Sequence, residues 1–151
     1  MTVLRFTTAL CAGAMLFSPL AAMARPNVTL DSAVFVEKTR PSGKAAVRTL
    51  EPANRLTRGD RVVTLVTWYR LGGNGGFTVI NAMPQSLAYQ GSAEGTEEVS
   101  VDGGKSWGHL GALQIGSRLA SPEDVTHVRW HVSPIQAQSG TGRIAYSGLV
   151  R

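Results

Sequence analysis

The sequence predicts an all-β protein built as an antiparallel β-sandwich. Short runs of alternating or β-rich residues recur from residue 28 onward, and each is bounded by Gly, Pro, Asn or Ser. The same region shows little helical periodicity, so the parallel crossovers of an α/β fold are not expected. We therefore expect eight or nine short strands in two packed sheets, with a closed barrel as the competing architecture.

Nine segments carry the strand pattern along the chain. They are residues 28–38, 45–51, 61–71, 77–83, 86–93, 97–102, 107–115, 126–132 and 143–150. The connections between them carry residues that favour turns, and we expect GGNGG (72–76) and QSGTG (138–142) to be hairpin loops. GGNGG lacks the Lys-Ser/Thr and the following helix of a phosphate-binding loop.

The first 24 residues have the pattern of an export signal. Arg5 precedes an apolar stretch, and Ala22-Met23-Ala24 offers the small residues that a signal peptidase requires. The apolar stretch is shorter than the roughly 20 residues that span a bilayer. We expect cleavage after Ala24, no membrane span afterwards, and a location in the periplasm or at the cell surface. Residues 25–44 are then a first strand or a loose leader, and residues 45–151 form one domain.

Composition narrows the chemistry of the mature chain. The one cysteine, Cys11, lies within the predicted signal, so a disulfide, a thiol nucleophile and a cysteine metal ligand are not expected. The formal net charge of +5 for the full sequence, which includes Arg5 of the predicted signal, is spread without a basic run. It suits solubility or a weak attraction to anionic envelope polymers, and export makes a nucleic-acid partner unexpected.

The stretch DVTHVRWHVSP (124–134) concentrates polar and aromatic residues on one predicted strand. Side chains alternate across a strand, so Trp130 belongs to the core-facing set, and His127, Arg129 and His131 lie together on the opposite face. The two histidines are four residues apart, which separates their Cα atoms by roughly 13 Å. One zinc ion could not easily bridge them, so we expect no metal. The face is either solvated or a basic stripe that binds a partner.

The segment SVDGGKSW (100–107) resembles the Asp-box turn of sialidase propeller blades. We expect Asp102 to accept backbone hydrogen bonds, Gly103 and Gly104 to adopt positive φ, and Trp107 to pack on the hairpin. Sialidases repeat this motif around a propeller, whereas this chain has one copy, so it is expected to be a structural turn. RGD (58–60) is likewise a turn before a strand or, as the alternative, an adhesive motif.

Residues 58–93 are similar to the bacterial surface-repeat family called domain of unknown function eleven. The resemblance rests on Gly59-Asp60, a long strand to Leu71, Asn74, Pro84 and Leu87-Ala88-Tyr89. Residues 99–107 and 124–130 are similar to small exported single-domain relatives. The resemblance implies an Ig-like sandwich, export, and a structural or binding role in the envelope or at the cell surface. It brings no catalytic residues to this chain.

These observations predict an exported, non-catalytic Ig-like module. Its partner would be an envelope protein or glycan, bound at the face of His127, Arg129 and His131 or along a free sheet edge that accepts a strand. No cofactor is expected, and the oligomeric state is open. The alternatives are a small envelope glycan hydrolase, for which no acid and base pair can be named, and a fimbrial or surface-assembly subunit.

Overall fold

The computed structural model describes residues 27–42 and 45–151, so the predicted export signal and Cys11 lie outside the described residues. Within these ranges no helix is long and apolar enough to cross a membrane. The strands and the one short α-helix follow in this order: β1 (Asn27–Ser42), β2 (Ala45–Pro52), β3 (Arg61–Gly72), β4 (Phe77–Ala82), β5 (Leu87–Ser92), β6 (Glu98–Ser100), β7 (Gln114–Ile115), β8 (Arg118–Leu119), β9 (His127–Val132), α1 (Pro134–Ala137) and β10 (Thr141–Val150).

The larger sheet has five antiparallel strands in the order β2-β1-β3-β10-β5. The long β1 pairs with β3 along Asn27 to Glu37, and its second half, from Phe35 onward, pairs with β2. Residues 27–42 are therefore a paired strand, the first of the two alternatives that the sequence leaves open for the segment 25–44.

The smaller sheet has three antiparallel strands in the order β4-β9-β6, with β9 in the centre. Strands β7 and β8 form a separate two-stranded hairpin. The buried faces of the two larger sheets share one hydrophobic core, in which the rings of Trp130 and Tyr146 lie 5.7 Å apart and those of Trp68 and Phe77 lie 5.2 Å apart. Each fully buried large side chain contributes roughly 1.5–3 kcal/mol to folding. The predicted all-β, antiparallel class is confirmed.

One predicted strand is wrong. The sequence predicts a strand over residues 107–115, but Gly108 makes a single bridge to Val99 and the chain then turns through a 3₁₀ segment at Leu110–Ala112. Gly108 and Gly111 weaken a strand there, since glycine has no side chain to pack and a large conformational freedom to lose. The described chain has ten strands, of which β7 and β8 are two-residue pieces.

The two predicted hairpin loops instead join strands of different sheets. GGNGG crosses from β3 to β4, with Gly73 and Gly75 at φ of 81° and 94°. QSGTG follows α1 on the way from β9 to β10. Helix α1 begins at a capping box, because the Ser133 hydroxyl accepts from Gln136 N at 3.2 Å and the Gln136 side chain accepts from Ser133 N at 2.9 Å.

Candidate functional site

Strand β9 presents the candidate residues on the outer face of the smaller sheet. Val128, Trp130 and Val132 are buried between the sheets, whereas His127 and Arg129 are half-buried and His131 is exposed. Because β9 is the central strand, residues on β4 and β6 flank its outward side chains. The face is therefore composite, with contributions from three strands and from the hairpin that follows β6.

Arg129 is fixed in place by two contacts. Its Nε donates to Glu98 Oε2 at 2.8 Å, and the two residues are direct neighbours in the pairing of β6 with β9. Its Cζ lies 4.5 Å from the centre of the Trp107 ring, within the range of a cation–π interaction. The side chain keeps 24% of its surface exposed, so the guanidinium is both held and accessible.

His131 shares the same carboxylate. Its Nε2 lies 3.1 Å from Glu98 Oε2, and its Nδ1 lies 3.1 Å from Thr78 Oγ1 on β4. The hydrogen bond from Arg129, followed by that from His131, holds the pKa of Glu98 below its usual value. Glu98 therefore stays ionised near neutral pH and holds the side chains of Arg129 and His131 in place.

His127 has different neighbours. Its Nδ1 lies 3.1 Å from Thr126 Oγ1, and its ring stands edge-on to Trp107 with 6.4 Å between centroids. Within residues 27–42 and 45–151, no group of three His, Cys, Asp or Glu side chains is placed to hold a metal ion. The arrangement of the two histidines is that of hydrogen-bonded members of a polar surface.

The Asp-box segment forms a tight hairpin whose hydrogen bonds converge on Asp102. The carboxylate accepts from Lys105 N at 3.0 Å, from Ser106 N at 2.9 Å and Ser106 Oγ at 2.6 Å, and from Ser100 Oγ at 2.7 Å. These hydrogen bonds, those from Ser106 foremost, hold the pKa of Asp102 far below its usual range. The carboxylate stabilises the turn in its charged form.

The hairpin also holds Trp107 over the outer face of β9. Gly103 and Gly104 have φ of 78° and 88°, and Trp107 Nε1 donates to Gly104 O at 3.0 Å. The loop is tied to the start of β9 because Thr126 N donates to Ser100 O at 2.8 Å and Thr126 Oγ1 accepts from Gly103 N at 3.1 Å. The Asp-box and the polar stripe, treated separately in the sequence, form one surface.

Three members of this surface were missed in the sequence. Glu98 contacts Arg129 and His131, Thr78 contacts His131, and Ile80, paired with Arg129, leaves 50% of its surface exposed. Strand alternation could have placed Glu98 on an outer face, since it is next to the apolar, core-facing Val99. It could not have placed it against Arg129, because that needs the register of β6 on β9.

Five carboxyl groups among the described residues have a perturbed pKa, and in each the pKa is lowered. They are Asp60, Glu97, Glu98, Asp102 and Asp124. At Glu97 burial acts to raise the pKa, but hydrogen bonds from Ser92 and Tyr89 outweigh it. In their charged forms these groups accept hydrogen bonds or form ion pairs.

The RGD tripeptide forms a turn at the end of the larger sheet. Gly59 has a φ of 89°, and its N–H donates to Val150 O at 2.8 Å. Asp60 accepts from Thr57 N at 2.8 Å and from Lys38 Nζ at 3.0 Å. The hydrogen bond from Thr57, and then that from Lys38, lowers the pKa of Asp60. The aspartate is thus engaged within the protein.

The described chain is an all-β protein of two packed antiparallel sheets and a separate two-stranded hairpin, with a polar and aromatic face on the three-stranded sheet. Comparisons of the sequence and structure with models of protein families, with curated proteins and with solved structures find no match.

Proposed function

We propose that this protein is an exported, non-catalytic binding module of the bacterial envelope or cell surface, with an Ig-like β-sandwich fold. Its recognition surface is the outer face of β4-β9-β6. The Ig-like assignment is supported by two antiparallel sheets around one core and by the resemblance of residues 58–93 to the surface-repeat family. Export is supported by the signal pattern of residues 1–24.

The fixed position of Arg129 is the observation that carries the proposal. Ordering a flexible side chain on binding costs roughly 0.5–1.5 kcal/mol. Here Glu98 and Trp107 hold Arg129 before any partner arrives. Its Nε is occupied by Glu98, whereas its two Nη atoms donate to no group in the part of the chain that the structure describes. They are free to donate to an acceptor on a partner.

The surroundings of Arg129 suit a protein partner. Arg and Trp are enriched among residues that dominate binding energy at interfaces, and Trp107 and Arg129 are stacked here. Ile80 adds an exposed apolar group beside them, and His131 adds an exposed donor or acceptor. We propose a partner that presents a carboxylate next to an apolar side chain.

The lowered pKa values of the carboxyl groups support the non-catalytic part of the proposal. A small glycan hydrolase would use one carboxylic acid with a raised pKa and one carboxylate. Among the described carboxyl groups with a perturbed pKa, every pKa is lowered. The carboxylate of Asp102 is occupied by hydrogen bonds within the hairpin. The alternative of a surface-assembly subunit is supported by the strand edges of β9 and β10 that are free of a partner among the described residues.

The test measures dose-dependent binding of residues 25–151 to isolated bacterial envelope. Arg129→Gln should weaken binding at least tenfold, because the guanidinium and its cation–π contact are lost while Glu98 keeps a hydrogen-bond partner. Arg48→Gln is the matched control, since Arg48 is exposed on β2 of the other sheet. Equal binding by folded Arg129→Gln and the unmodified chain would remove this face from the proposal. Protease treatment of the envelope separates a protein partner from a glycan.

A further inference from the structure

A groove opens between the two sheets where both of them lack a strand. β5 pairs with β10 only from Tyr146 onward, and β6 pairs with β9 only as far as Arg129. The first half of β10 and the second half of β9 therefore have a free edge on the same side. A cavity of about 400 Å³ lies there, bounded on the remaining sides by the connection between β5 and β6 and by α1.

The cavity runs along the main chain of these strands. Its lining includes four consecutive residues of β10, from Thr141 to Ile144, and three consecutive residues of β9, from Trp130 to Val132. Consecutive side chains on a strand point to opposite faces. A cavity that touches every residue in both runs must follow the edge of each strand rather than one face.

The edge of β10 presents unpaired main-chain groups to this groove. Ala145 O accepts from Ala93 N at 3.0 Å on the open side. In an antiparallel strand, residues two apart direct their main-chain groups to the same side. The N–H and C=O of Arg143 thus face the open edge, and no group among the described residues is bonded to them.

The floor of the groove is aromatic and contains an unpaired donor. Trp68, Trp130 and Ile144 are buried side chains of the lining, and Trp130 is only 3% exposed. Trp130 Nε1 is buried and has no hydrogen-bond partner among the described residues. Nearly all such donors in native proteins are paired, so this one calls for an explanation.

We propose that the groove binds a short extended segment of another protein by strand addition. The segment pairs its main chain with Arg143 on β10 and places a large apolar side chain against Trp68 and Ile144. The four-residue edge from Thr141 to Ile144 is about 13 Å long, which suits three or four residues of an extended peptide. The N–H and C=O of Arg143, free among the described residues, lie side by side on the strand edge and match the donor and acceptor of a peptide main chain. This match favours a peptide over a sugar.

The site is separate from the face proposed above. His131 borders both, but Arg129, Trp107 and Glu98 do not line the groove. Loss of one function therefore leaves the other measurable, and Arg129→Gln should bind the peptide as the unmodified chain does.

The experiment is a titration of residues 25–151 with a blocked pentapeptide that alternates threonine and leucine, followed by amide and indole N–H resonances in NMR. We expect the Arg143 amide and the Trp130 indole N–H to shift together, with slower hydrogen exchange at Arg143. An otherwise identical peptide that is N-methylated at alternate main-chain nitrogens should bind at least tenfold more weakly, because its edge donors are removed.

Two protein variants separate the main chain from the side chain. Arg143→Pro removes the edge N–H, a change that edge strands tolerate, and should abolish peptide binding. Arg143→Ala keeps the N–H and should retain binding within about threefold. If Arg143→Pro fails to fold, the N-methylated peptide decides on the unmodified chain. Equal binding of both peptides would overturn the proposal, as would N-acetylglucosamine moving these resonances when the pentapeptide does not.

Discussion

The two halves of β9 have opposite surroundings. Residues His127 to Arg129 are paired with β6 on one side and lie under the Asp-box hairpin, which fixes Trp107 and Arg129. Residues Trp130 to Val132 have lost that neighbour and border an open groove. The same alternating sequence pattern runs through both halves. The difference comes from the length of β6, which ends the pairing halfway along β9.

The comparison separates two ways of binding. The covered half offers side chains whose positions are already fixed, so little order is lost on binding. The open half offers main-chain groups with which an added strand can pair. An unprotected edge also invites unwanted pairing. The open edges here are only three or four residues long and are closed at the ends by α1 and by the connection between β5 and β6.

The largest expected effect concerns the floor of the groove beside the open half of β9. A Cβ built on Gly142 would lie 2.4 Å from Trp68 Cζ2, and Trp68 is buried against Phe77. Gly142→Ala should therefore destabilise the protein by about 2–3 kcal/mol, since the indole must shift in a packed core. Chemical denaturation measures the change.

Gly72→Ala is the control for this prediction, because nothing lies within 4 Å of the Cβ built there and its φ is ordinary. If Gly142→Ala were as stable as Gly72→Ala, the Trp68 indole would shift at little cost in free energy. The shape of the groove would then not be fixed in the free protein.

The next largest effect concerns the covered half. Ser100 is fully buried, and its hydroxyl donates to Asp102 and accepts from Gly104 N at 2.8 Å. Ser100→Ala leaves that N–H without its partner and should cost about 1–2 kcal/mol. Thermal unfolding checks the loss, with the exposed Ser117→Ala as the control. If Ser100→Ala left the stability unchanged, the other hydrogen bonds of the hairpin would be sufficient to hold it.

Acid should destabilise the Asp-box hairpin that covers the first half of β9. The folded-state pKa of Asp102 lies below its unfolded value because of hydrogen bonds from Ser106 and Ser100. Its contribution is therefore complete above about pH 4 and is lost as the pH falls further. Asp102→Asn should show a shallower loss of stability below pH 4 than the unmodified chain, measured by denaturation at several pH values. Parallel curves for both chains would contradict this assignment.

The sequence predicts local geometry in this region but not the relation between its parts. Alternation places Trp130 in the core and Arg129 outside, as the structure does. The residue types of the Asp-box suit its turn, because Asp102 can accept N–H groups and glycine adopts positive φ. Neither pattern states that Trp107 lies over Arg129. That contact depends on the pairing register of β6 with β9, which no short-range pattern carries.

The groove is a still less local feature. It exists because β5 ends at Ser92 and β6 begins only at Glu98, so two strand edges are left free at the same place. Strand ends depend on where tertiary partners begin and end, and a period-two pattern does not mark them. The predicted strand 107–115 was wrong for the same reason, since its alternation continues after its pairing with Val99 has ended.

The smallest expected effect tests the contact that defines the covered half. A double-mutant cycle with Arg129→Gln and Trp107→Leu isolates the interaction between the guanidinium and the indole ring, because leucine has no aromatic face. We expect a coupling energy of about 0.5–1 kcal/mol, the usual range for a cation–π pair near the surface. The same cycle with Arg129→Gln and Trp68→Phe should give about zero, because distant sites usually contribute additively. A coupling of zero for the first pair would mean that Glu98 alone fixes Arg129. In that event Trp107→Leu would leave envelope binding unchanged. A contribution from the ring should instead make Trp107→Leu weaken that binding in proportion to the coupling energy.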